Sequence, residues 1–183
     1  MSNTAQSLRD AQSDDAPAIQ EIYAEHVLTG LASFEETPPD SNEMRRRMEE
    51  IRAAGLPYLV AELDGKVSGF AYASPFRNRS AYRYTVEDSV YIAGDALHRG
   101  LGRALLGAII ERCTALGYRQ MIAVIGDSAN DASIGLHAHL GFIMSGTMPA
   151  VGFKFGRWVD SVRMQRALGA GADTPPDDVN TDG

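Results

Sequence analysis

Ser89-Val90-Tyr91-Ile92 runs, after a short gap, into Leu97-His98-Arg99-Gly100-Leu101-Gly102-Arg103-Ala104-Leu105, and the architecture follows from this junction. The first segment is rich in β-branched and aromatic residues, as a strand requires. The second places two glycines at i and i+2 in front of an apolar-periodic run, which predicts a helix over 100–116 stopped by Gly117. A helix start exposes unpaired N–H groups and the positive end of the helix dipole, so it can hold an anion such as a pyrophosphate. Glycine lets the backbone approach a phosphate without a Cβ in the way, and Arg99 and Arg103 are candidates for charge-assisted bonds. The same glycines would also serve a tight turn with no ligand, so the pair alone is ambiguous.

Two familiar phosphate-binding patterns fail on residues. A dinucleotide fingerprint needs a third small residue where Leu105 stands, and a P-loop needs G-K-[ST], which is absent. A coenzyme A pyrophosphate site is the option that survives.

Working outward, Leu8–Ala11 reads as a short first strand, and Ser13 caps a helix with the apolar stripe Ile19, Ile22, Tyr23, Val27. Residues 29–39 form a loop, and Ser41 opens a second helix through Ala54, stopped by Gly55. Tyr58–Leu63, Asp64-Gly65 and Lys66–Ser74 make a hairpin with a type I′ turn. A basic loop at 75–81 leads to a long strand, Tyr82–Ala93. Gln120–Ile125 is apolar almost throughout, like a buried parallel strand, Asn130–Leu140 is a short helix, and Phe142–Met148 and Phe155–Arg166 are closing strands. This order predicts an α/β fold with one mixed sheet and helices on both faces. Residues 1–7 are expected to be flexible, 8–168 to form one domain, and 169–183, which is Gly, Pro, Asp and Thr, to be a disordered tail.

The net charge of −7 argues against nucleic acid or an anionic membrane as partner, since both need a basic face. No stretch approaches the ~20 apolar residues of a membrane span, and no secretory signal is read at the start. The single cysteine, Cys113, sits on the apolar stripe of the Gly100 helix and reads as core; with no disulfide framework, the cytoplasm is the expected compartment. No metal is expected.

Leu97–Gly102 resembles the Q/R-x-x-G-x-G/A signature of the GNAT acetyltransferases, with Leu97 in place of the first Gln or Arg. The resemblance implies that superfamily's fold, a single central mixed twisted sheet of about seven strands. It also implies acetyl-CoA as co-substrate, lying along Val90, Tyr91 and Ile92 with its pyrophosphate at Leu97, His98, Arg99, Gly100, Leu101, Gly102 and Arg103. Arg99 is expected to compensate for Leu97.

Asn130-x-x-Ser133-x-x-Leu136-His137-x-x-Leu140-Gly141-Phe142 resembles the other cofactor-side signature of the superfamily. Asn130 and His137 are seven apart, so on a helix they fall within ~20° on one face. Asn130 and Ser133 are expected to serve the cofactor. His137 stands where most members have tyrosine, and the resemblance implies that it protonates the departing thiolate, a role imidazole can fill near neutral pH. His26, His98 and His139 are expected to have surface side chains.

An amine acceptor is mostly protonated at pH 7, so a carboxylate base is useful. Glu87, just ahead of Val90-Tyr91-Ile92, is the best candidate, with Asp88 competing for the same role. A bulge in this strand is expected to free a backbone N–H for an oxyanion.

The runs Phe76-Arg77-x-Arg79-x-Ala81-Tyr82, Thr85-x-Glu87-x-Ser89-Val90-Tyr91, Ala123-Val124-Ile125-Gly126 and Gly152-Phe153-Lys154-x-Gly156-x-Trp158-x-Asp160 resemble the phosphinothricin acetyltransferases. That group includes the methionine sulfoximine and methionine sulfone acetyltransferases. The similarity covers residues 8–168 and implies acetylation of the α-amino group of a glutamate- or methionine-like amino acid analogue. Arg77 and Arg79 would clamp an anionic group, Tyr82 would cap the pocket, and Phe34 and Glu35 would close over the acceptor. Lys154 would reach an acceptor site, across the interface of the homodimer that the family implies. A cationic acceptor such as an aminoglycoside fits the arginine loop poorly. A peptide N-terminus as acceptor, or a non-catalytic acyl-CoA sensor, are the competing readings.

Overall fold

The computed structural model describes residues 6–176. Seven strands form one sheet: β1 (Gln6–Asp10), β2 (Tyr58–Leu63), β3 (Lys66–Pro75), β4 (Thr85–Ile92), β5 (Gln120–Gly126), β6 (Ile143–Lys154) and β7 (Arg157–Ala167). Their spatial order is β1-β2-β3-β4-β5-β7-β6, and every adjacent pair is antiparallel except β4 and β5. Four helices cover the sheet: α1 (Ala16–Thr29), α2 (Ser41–Ala53), α3 (Leu101–Ala115) and α4 (Asp131–His139).

The expected α/β fold with helices on both faces is what forms. The parallel β4–β5 pair needs a crossover, and α3 supplies it. Alternation along β4 then divides the neighbours between the two faces. Tyr91 packs its ring edge-on to Tyr23 of α1, while Ile92, one residue on, belongs with Leu105 of α3 around Gly69. The buried core includes Phe70, Leu101, Leu105, Leu106, Ile109 and Met121. Cys113 is fully buried in it, and that burial pushes its thiol up to about 12.

Asp64 and Gly65 both take positive φ (51° and 80°) between β2 and β3, as the type I′ turn demands. Several boundaries differ from expectation. The strand expected from Tyr82 begins only at Thr85, and Ser80–Tyr82 is a single 3-10 turn. Its partner β3 stops at Pro75, opposite Val86, so residues ahead of Thr85 have no strand to pair with. The helix expected from Ser13 starts as a 3-10 turn, in which the Asp15 carboxylate accepts from the Gln12 N–H and pairs with Arg9 at 2.7 Å. The strand expected to stop at Met148 continues to Lys154. Its register shifts between Met148 and Gly152, where the Ala150 N–H donates to Asp160.

Gln6 and Ser7, expected to be flexible, belong to β1 and pair with Leu63 and Glu62. Residues 1–5 and 177–183 of the two expected loose ends lie outside the described residues. The remainder of the expected tail, 169–176, is a series of turns, and Arg119 Nη2 donates to the carbonyls of Thr174 and Pro175. Among the described residues no helix is long and apolar enough to cross a membrane.

Candidate active site

β4 and β5 pair only from Thr85–Gln120 to Asp88–Ala123. Beyond that point β4 stays with β3 to Ile92 and β5 stays with β7 to Gly126, so the two strands separate. The β3–β4 register is unbroken, so the expected bulge is not there. This separation supplies the feature the bulge was expected to provide, because the β5-facing backbone edge of Ser89–Ile92 has no strand partner.

A cleft of about 640 Å³ opens in the gap. Val90, Tyr91 and Ile92 form one wall, Gly126, Asp127, Asn130 and Ser133 another, and Leu97, His98, Gly100, Leu101, Gly102 and Arg103 close its end. The chain enters α3 there through Gly100, which caps the helix at φ 80°. A Cβ at Gly100 would be strained by that backbone and would stand in open space. The helix start therefore presents its N–H groups to the cleft.

Arg99 does not line the cleft, whereas Arg103, one helical turn inward, does. Asn130 caps α4, its side chain accepting from the Ser133 N–H at 3.1 Å. His26, expected at the surface, lines the cleft instead, with Nε2 donating to the Ile92 carbonyl at 2.8 Å.

His137 is placed differently from expectation. It is only 3% exposed and does not line the cleft. Its Nε2 lies 3.0 Å from Asp88 Oδ2 and its Nδ1 lies 2.7 Å from the Ser133 carbonyl oxygen. The Ser133 carbonyl can only accept, so Nδ1 carries a proton, and the Asp88 carboxylate opposite Nε2 favours the imidazolium form. Burial works against that charge, but the hydrogen bond and charge of Asp88 outweigh it and raise the His137 pKa above the usual histidine value. With both N–H groups engaged inside the fold, His137 is a tie between α4 and β4 and has no free proton aimed at a thiolate. Asp88, 5% exposed and turned to the α4 face, is likewise removed from the competition to act as base.

Glu87 points to the opposite face, beside Ser74 of β3 and Ile122 of β5. Burial and the neighbouring Asp88 raise its carboxyl above the ordinary range, while the charges of Arg77 and Arg163 favour its ionised form. Arg77 stacks on Phe76, and Arg79 and Tyr82 line a shallow recess with them. Arg163 was missed in the sequence, where it reads as an ordinary outward position between the buried Val162 and Met164.

The 30–36 loop is fixed from below. Lys154 is buried, and its Nζ donates to the carbonyls of Gly30 and Ser33 at 2.9 and 2.8 Å. Burial lowers its pKa. It therefore holds the loop of its own chain, in place of the expected reach to an acceptor. Glu35 accepts from Arg47 Nη1 at 2.7 Å and from the Tyr23 hydroxyl, so its charge is already matched. Phe34 lies over Gly126 and Gly152, where an added Cβ would stand 3.0 and 2.5 Å from its ring.

Residues 8–163 match the acetyltransferase (GNAT) domain family. The chain is 57% identical over 177 residues to the phosphinothricin N-acetyltransferase of Alcaligenes faecalis, covering 97% of this chain and 90% of that one. It is 45% identical to an L-methionine sulfoximine/L-methionine sulfone acetyltransferase of Pseudomonas aeruginosa, covering 88% of this chain and 94% of that one. Among solved structures it is similar to a GNAT superfamily phosphinothricin acetyltransferase from Sinorhizobium meliloti in complex with AcCoA. That likeness has TM-score 0.92 and 52% identity, and covers 96% of this chain and 95% of that one. A cleft opened by two diverging strands and closed by a glycine-capped helix start, carried on a sequence with these relatives, makes this chain a member of the GNAT acetyltransferase family.

Proposed function

We propose that the chain transfers acetyl from acetyl-CoA to the α-amino group of a small amino acid analogue of the phosphinothricin, methionine sulfoximine or methionine sulfone type. The observation that carries this reading is the position of Glu87. It sits on β4 one position before the last pair with β5 and three before Val90 of the cleft wall, within the charge influence of Arg77 and Arg163. The cleft fits acetyl-CoA on its own features: the Gly100 start of α3 suits a pyrophosphate, and the edge of Val90–Ile92, which no strand pairs, suits the amides of a pantetheine arm.

The bound thioester supplies an activated acetyl group. Glu87, ionised, accepts the proton that the amine must lose to become a nucleophile. Arg77 holds an anionic group of the acceptor, which orients the amine toward Glu87. The loop at 30–36, pinned by Lys154, covers the site and limits access of water. His137 and Asp88 act from beneath by fixing α4, which carries Asn130 and Ser133 to the cleft.

The reading includes a homodimer in the cytoplasm. In its support, the β6–β7 hairpin exposes Ile143, Phe153, Phe155 and Trp158, the last 66% exposed, as a second copy would cover.

The test is a thiol-release assay with acetyl-CoA over phosphinothricin, methionine sulfoximine, methionine sulfone and kanamycin-like amines. Turnover is expected on the amino acid analogues and little on the aminoglycosides. Absence of turnover on every amino acid analogue would overturn the acceptor assignment.

A further inference from the structure

Arg163 comes from β7, two strands from Glu87, yet the pairing Glu87–Ile122–Gln165 puts it on the same face of the sheet. It lines a recess of about 400 Å³ with Phe76, Ile122 and Thr147. The residue paired with it on β6 is Gly146, which adds no side chain beside it. Its Nε is buried with no hydrogen-bond partner, and it forms no ion pair with any described residue. A buried donor left unmatched costs free energy that a folded protein normally avoids. The side chain lines the recess on the face that carries Glu87, whose carboxyl feels its charge, and an anion in that recess would pair with the guanidinium.

We infer that Arg163 is a specificity-determining residue that binds a second acidic group on the acceptor. The site thus prefers an amino acid with an anionic side-chain terminus over an isosteric neutral one. Arg77, from the β3–β4 loop, takes one anionic group, and Arg163, from β7, takes the other. The amine between them is left to Glu87. The inference rests on the acetyltransferase assignment above and narrows its acceptor.

Phosphinothricin and methionine sulfone are a matched pair for the test. Both are tetrahedral at the side-chain terminus and carry a methyl group, and they differ by the negative charge of the phosphinate. The wild type is expected to show at least about tenfold higher kcat/KM for phosphinothricin. Arg163→Met should lower kcat/KM for phosphinothricin about 10- to 100-fold, as for loss of one charge-assisted hydrogen bond. It should lower that for methionine sulfone less than about threefold and leave the KM for acetyl-CoA unchanged. Arg163→Lys, which keeps the charge, should recover part of the phosphinothricin rate and guards against a folding defect in the Met variant. Equal losses on both acceptors, or no loss on either, would overturn the inference. A wild type that acetylates methionine sulfone but not phosphinothricin would overturn it and leave the acetyltransferase assignment standing. A wild type that acetylates neither removes both.

Discussion

Replacing Asp88 by Asn should destabilise the protein in a pH-dependent way. The substitution keeps the shape and one acceptor oxygen opposite His137 Nε2, 3.0 Å away in the native protein, and removes the negative charge. A hydrogen bond to a charged group contributes about 1.5–3 kcal/mol and a neutral one about 1 kcal/mol, so the exchange costs about 0.5–2 kcal/mol. In a chain of this length 1 kcal/mol moves the melting temperature by about 2–4 °C. Asp88→Asn should therefore melt about 1–8 °C below the wild type at pH 6. Asp88 raises the His137 pKa above the ordinary value, against the effect of burial. The stabilisation is then fully present below the unfolded pKa of about 6.5 and is lost as pH rises through the higher folded pKa. The gap between the two proteins should narrow from pH 6 to pH 9. Melting followed by circular dichroism across that range measures it. No gap at pH 6, or a gap of constant size, would refute the assignment of His137 as an imidazolium held by Asp88.

Glu87→Gln should lower kcat about 10²- to 10⁴-fold with little change in the KM for acetyl-CoA, as expected for loss of a general base. Because burial and Asp88 raise the Glu87 pKa, the wild-type rate should fall toward acid with a midpoint above the ordinary carboxylate value; wild-type kcat in the variant would remove the base assignment. Gly126→Ala should raise the KM for acetyl-CoA and cost about 1–3 kcal/mol, the range for overpacking, since the new Cβ would stand 2.1 Å from the Leu31 carbonyl oxygen. Unchanged kinetics and melting would show that the loop does not need this close approach. Lys154→Met removes two hydrogen bonds from a buried ammonium to the 30–33 loop. It should raise the acceptor KM more than it lowers kcat and drop the melting temperature by several degrees, read by initial rates and calorimetry.

Much of the architecture is written locally. The Asp64-Gly65 turn sets the β2–β3 hairpin, and the Gly100–Gly102 start of α3 marks both a helix end and the mouth of the cleft, because each depends on backbone conformations that few residues adopt. Most of the residues expected around the cofactor line one cleft because they lie within two short segments that flank the gap between β4 and β5. The errors share a cause as well. Spacing along α4 put His137 near Asn130, but spacing says nothing about what stands opposite, and Asp88, 49 positions earlier, captures the ring from the strand beneath. Lys154 is expected to reach an acceptor, but the fold brings it against the Gly30 and Ser33 carbonyls, 124 and 121 positions away.

The elements, the glycine-capped turn and Glu87 as the candidate base are legible along the chain, because these rest on short-range geometry and on the chemistry of single residues. Which face each strand presents to the cleft was decided only by the tertiary structure. The order β4-β5-β7-β6 is not the order of the chain, and a period-two pattern gives alternation without saying which side holds the site. Arg163 and Met164 differ by one position, and only the pairing across β5 places the first beside Glu87 and the second in the core.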